Sequence, residues 1–200
     1  MRSLAACLGL MGCVLLSVRS AAAQDPRYQR LDPDTRAHVS AVIDSARTVG
    51  LPTEPLIQRA LEGVLKGAGS DRIVAAVRRL AVDLGVARSA LGSGASSAEL
   101  EAGVAALRAG ATPTVLAQLR EHRHQSLTVA LAVLADLAAR GVPVDSAAAA
   151  VLVLAPTARD ADLVEFRRAV ERDIALGAPP AAATSVRLDA TARAAAPGRP

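Results

Sequence analysis

Apolar residues recur along most of this chain at intervals of three and four, the spacing that lines one face of an α-helix. Glycine and proline separate each such run from the next. The densest run is Leu127 to Ala139, interrupted only by Thr128 and Asp136. Leu127, Leu131, Leu134 and Ala138 fall on one helical face, and Val129, Ala130 and Val133 cover most of the rest. A helix apolar nearly all round needs neighbours on every side, so this run predicts the central helix of an all-α domain. Arg140-Gly141-Val142-Pro143 ends it: glycine suits the left-handed position after a helix, and proline cannot continue the hydrogen-bond ladder.

The same pattern predicts about eight helices over residues 34–177. Asp34 is expected to cap the first, which runs to about Val49 with Val39, Val42, Ile43 and Ala46 inward. Thr53 is expected to cap a second, whose stripe is Leu56, Ile57, Ala60, Leu61, Val64 and Leu65. Ser70 or Asp71 opens a longer helix with Ile73, Val77, Leu80 and Leu84 inward and Arg72, Arg78, Arg79 and Asp83 outward. Residues 91–97, LGSGASS, read as a flexible linker. Ser96 with Glu99 three residues later then forms a capping box, and Thr112-Pro113 an N-cap followed by a first-turn proline. Beyond the central helix, Asp145 or Ser146 opens a short helix to Leu154. Asp160 opens the last, with Leu163, Phe166, Val170 and Ile174 inward. Residues 178–200 hold Ala, Pro, Thr and Arg with little apolar periodicity and are expected to be a disordered tail.

Gly50, Gly110, Gly141 and Gly177 each stand at a helix stop closely followed by proline and a new helix start. From Gly110 onward the stops recur at roughly thirty-residue intervals, as degenerate helical hairpins would. Stacked antiparallel hairpins are therefore the expected architecture, either as an extended repeat or as a compact bundle.

The first 23 residues change the inventory. Arg2, the apolar stretch Leu4 to Val18 and Ala21-Ala22-Ala23 have the three-part layout of a secretory signal peptide, with cleavage expected between Ala23 and Gln24. Residues 24–33, with two prolines, would follow as an extended leader. The apolar stretch is short of the roughly 20 residues a membrane span needs. Leu10-Met11-Gly12-Cys13 offers an alternative, a lipoprotein anchored through Cys13, but the apolar run continues past that cysteine. Cys7 and Cys13 are the only cysteines, so the processed chain would carry none and would rely on its apolar core without disulfides. The expected location is periplasmic or secreted.

Processing would also lower the formal charge from +4 to +2, with 22 arginines and the single Lys66 in the full chain set against 19 carboxylates. So small a surplus gives no reason to invoke nucleic acid or an anionic membrane. Tyr28 and Phe166 are the only aromatics, which argues against stacking platforms for sugars or single-stranded nucleic acid. The apolar segments Leu127–Ala139 and Ala147–Ala155 are too short to span a bilayer, so no transmembrane helix is expected after processing.

Candidate chemistry is sparse. His122 and His124 could both face a metal from an extended backbone, but only Glu121 stands nearby as a third ligand, and helix-end polar residues are the simpler reading. No serine sits in a nucleophile motif, and LGSGASS lacks the lysine of a phosphate loop. Nothing points to a cofactor. Arg72, Arg78, Arg79 and Arg88 form a basic row that would suit an acidic partner, though exposed helix faces are commonly charged. The expectation is a non-catalytic interaction or scaffolding protein of the bacterial cell envelope with a protein partner. The alternatives are a binder of a small apolar or lipid-like ligand and, third, a metal-dependent enzyme using His122 and His124.

Overall fold

The computed structural model describes residues 29–195, which form nine α-helices and no strand. In chain order they are α1 (Pro33–Thr48), α2 (Glu54–Leu65), α3 (Ser70–Leu91), α4 (Ser97–Arg108), α5 (Pro113–His122), α6 (Thr128–Ala139), α7 (Val144–Leu154), α8 (Asp160–Ala175) and α9 (Pro180–Ala195). The signal segment, its Ala23–Gln24 junction, both cysteines and the start of the leader lie outside the described residues.

Substantial helix contacts run only between helices one or two apart in the chain. The odd-numbered helices α1, α3, α5, α7 and α9 lie side by side in order; α4, α6 and α8 do the same in a second layer, and α2 packs mainly on α3. The result is a two-layered stack of helices. The even-layer helices α4, α6 and α8 start at Ser97, Thr128 and Asp160, which is the recurring interval visible in the sequence.

α6 is enclosed as its composition requires, touching α4, α7 and α8. Ala130, Leu131, Val133, Leu134 and Leu137 are all buried. With Phe166 the one buried aromatic among the described residues, small side chains do much of the packing and backbones come close. A Cβ placed on Gly63 of α2 would stand 2.7 Å from Ile73 Cγ1 of α3, and one on Gly103 of α4 would stand 3.1 Å from Leu91 Cδ1.

Five of the helix stops share one geometry. After α1, the Gly50 N–H donates to Arg47 O and the Leu51 N–H to Ala46 O; after α6, Gly141 and Val142 repeat this on Ala138 and Leu137. This paired arrangement needs a residue with positive φ, supplied by Gly50 (72°) and Gly141 (86°), and places an apolar residue just beyond it. The ends of α2, α4 and α8 close in the same way.

Several expected boundaries shift. Asp32, not Asp34, caps α1, its Oδ1 accepting from the Thr35 N–H at 3.0 Å, because Pro33 can occupy the first helical position without a donor. The leader's end is therefore structured, with Leu31 buried. Thr53 precedes α2 without a side-chain cap, and Pro143 rather than Asp145 precedes α7. Leu91 belongs to α3 and is buried, and Ser96 makes its capping box. The glycine-serine segment is thus a short turn between two packed helices, shorter than the expected linker over 91–97.

The largest correction is the C-terminal segment. Residues 180–195 are not irregular but form α9, which packs on α7 and α8. Its buried positions are the small Ala183 and Thr184, with Leu188 half-buried, so no large apolar stripe announces it. Alanine-rich propensity and a first-turn proline are what favour the helix.

Candidate functional site

The sequence places its only clustered histidines at His122-Arg123-His124, and the structure inverts the emphasis. His122 and His124 are exposed, while Arg123 between them is only 1% exposed. α5 buries Leu116 and Leu119; position 123 continues that face one turn on, so the apolar periodicity runs onto an arginine. Every N–H of its guanidinium has an acceptor. Nε donates to Ser126 O at 2.9 Å, Nη1 to Ala155 O at 3.0 Å and Ala158 O at 2.7 Å, and Nη2 to Gln125 Oε1 at 3.2 Å and Asp160 Oδ1 at 2.6 Å. Full satisfaction is what makes a buried guanidinium tolerable, and here it ties the α5–α6 loop to the α7–α8 loop.

Glu99 does the same one hairpin earlier. Its Oε2 accepts from the Ser96 N–H and hydroxyl, completing the capping box, and Oε1 accepts from Arg120 Nη2 at 2.8 Å and the Leu127 N–H at 2.9 Å. Burial alone would raise this carboxyl, but the backbone donors of Leu127 and Ser96 and the Arg120 guanidinium outweigh it and pull its pKa down to about 2. The capping box was legible in the sequence; the reach to α6 was not. Arg123 and Glu99 are thus fully engaged in joining successive hairpins. Among the described residues no group of three or more His, Cys, Asp or Glu is gathered as metal ligands, and His122 and His124 do not converge on a third.

The basic row on α3 divides. Arg88 donates to Gly50 O at 2.6 Å and so ties α3 to the end of α1. Arg72, Arg78 and Arg79 are exposed, and among the described residues none has a carboxylate within ion-pair distance. Most arginines in the second half of the stack differ: Arg108 pairs with Asp83, Arg159 with Asp162, Arg167 with Asp136 and Glu171, and Arg187 with Asp173, whereas Arg168 is exposed and unpaired among the described residues.

Arg78 also stands at the rim of a groove of about 520 Å³ between α1 and α3. Val42, Ala46, Leu51 and Ala81 line it, with Val49 and Val82 at its edges and His38 toward the start of α1. Val49 is 63% exposed, Val82 65%, and Val86 one turn further along α3 is also open. A larger cleft of about 740 Å³ lies between α8 and α9, but its arginines are occupied: Arg159 by Asp162, Arg172 by Glu165 and Arg187 by both oxygens of Asp173. The α1–α3 face is therefore where apolar surface and unpaired positive charge coincide. No helix among the described residues is long and apolar enough to cross a membrane. No family model, curated protein or solved structure matches this chain.

Proposed function

We propose that the protein is an exported helical scaffold of the bacterial cell envelope that works by holding a protein partner, with the α1–α3 face as the holding surface. The observation that carries this reading is an apolar groove with Arg78 at its rim, exposed and lacking a carboxylate partner among the described residues, while Arg72 and Arg79 stand equally unpaired elsewhere on α3. Exposed apolar side chains beside unpaired charge favour association with a complementary surface. The leader's layout supports export, and N-terminal sequencing of the processed protein is expected to begin at Gln24. A photo-crosslinking amino acid in place of Val82 should trap one discrete envelope protein in living cells. Absence of adducts from every exposed position tested would remove the scaffold reading. A small amphiphile with an anionic head is the second reading, favoured by the volume of the groove and by Arg78 at its rim. It predicts a bound mass in native mass spectrometry of protein taken from its own host.

A further inference from the structure

We infer that the groove between α1 and α3 docks one amphipathic helix of a partner protein, with acidic residues flanking the helix's apolar stripe. The inference rests on the scaffold reading and names the chemistry of the partner.

The floor and edges of the groove are aliphatic, so the occupant must bring aliphatic side chains. The groove follows α1 from His38 to Val49, about 16 Å at the helical rise, or three turns. The described residues contain no strand and hence no sheet edge, so an extended peptide has no backbone ladder to join. A helix satisfies its own backbone and needs only side-chain contacts. Residues at i, i+4 and i+7 would meet Val42, Val49 and Val82 and cover surface now facing water.

Charge fixes the flanks. Arg78 at the rim has no carboxylate partner among the described residues, and Arg79 and Arg72, exposed on the same helix but outside the groove's lining, are likewise unpaired. Asp83, which shares α3, is turned to Arg108 of α4. Asp44 on α1 is held by Arg47. A glutamate or aspartate on the incoming helix would therefore meet the uncompensated Arg78 guanidinium, with Arg79 and Arg72 adding positive charge further round α3.

The chain's own remaining segments have the wrong sign. Residues 1–28 and 196–200 carry Arg2, Arg19, Arg27 and Arg199 against Asp25 alone. A separate acidic helix fits better than self-occupancy.

The probe is a fluorescent, helix-stapled peptide of about four turns, with leucines at i, i+4, i+7 and i+11. It is made with glutamate flanks and again with lysine flanks. Anisotropy titrations against the processed protein should show the glutamate form binding at least roughly tenfold more tightly, with affinity falling as salt rises. Val82→Asp, at an exposed position, should weaken it by roughly tenfold or more while circular dichroism stays unchanged. The double variant Arg78→Glu/Arg79→Glu should reverse the preference toward the lysine-flanked form. Equal binding of the two peptides, indifference to Val82→Asp, or binding only to phosphatidylglycerol vesicles overturns the inference. So does concentration-dependent dimerisation through this face in place of peptide binding. Failure of the inference alone is recognisable: Val82 would still crosslink an envelope protein in cells, while the two stapled peptides bound equally or not at all. Failure of the scaffold reading would leave crosslinks nowhere.

Discussion

The second half of the stack and its first three helices use arginine in opposite ways. Around α4 to α8 most guanidinium groups are paired, and a few are drawn inward. Arg123 is sealed among loop carbonyls, Arg120 meets Glu99, and Arg167 bridges Asp136 and Glu171. On α3 three arginines stand in water, and one of them, Arg78, borders a groove that nothing in the described chain fills. Cationic residues in one small helical protein can thus be structural in one region and free to be recognised in another. Burial and pairing, not residue type, separate the two.

The sharpest way to break this contrast is Arg123→Ala. It leaves the carbonyls of Ser126, Ala155 and Ala158 without their donor and is expected to cost about 3–5 kcal/mol in urea unfolding. Arg123→Lys should recover only part of that, since an ammonium cannot span the same acceptors. A cost similar to that of Arg78→Ala would dissolve the distinction.

Next in size is the acid limb of stability. The Glu99 pKa is depressed to about 2 from an ordinary 4.5, so it contributes stability that is fully present above the unfolded value. That contribution, about 3 kcal/mol at most, is lost as pH falls from about 4.5 toward 2. Glu99→Gln should be less stable at pH 7 and show a flatter profile across that window. An unchanged slope would mean the Leu127 and Arg120 contacts are not what lowers this group.

Gly63→Ala probes whether the first helices are loosely built or merely open at the surface. Its new Cβ would press on Ile73 Cγ1, and a loss of about 1–3 kcal/mol is expected from overpacking. A neutral result would mean that α2 and α3 can part. The smallest effect belongs to the exposed face itself. Val82→Asp and the Arg72→Glu/Arg78→Glu/Arg79→Glu variant should change unfolding free energy by less than about 0.5 kcal/mol. A large loss would show that these residues support the fold.

Much of the architecture was legible before any coordinates. Apolar periodicity marked eight of the nine helices, the composition of Leu127–Ala139 marked the central one, and Ser96 with Glu99 marked a helix start that formed as expected. α9 was missed because its packing positions are Ala183 and Thr184, and small residues leave no hydrophobic stripe to count. The basic row on α3 was legible as a row, but its division was not. Arg88 closes on Gly50 across 38 positions of chain, a separation that local spacing cannot register.

Read alone, then, the chain determined which segments are helical, where glycine stops most of them, and that an aliphatic core must hold them together. These follow from side-chain periodicity and backbone freedom, which act over a few residues. The packing of the whole chain settles that Arg123 is buried while its histidine neighbours face water, and that Glu99 reaches a second helix. It also settles that Arg78 is left unpaired at the edge of an apolar groove. Desolvation and ion pairing depend on which distant segments arrive at the same place, and that is a property of the packed stack.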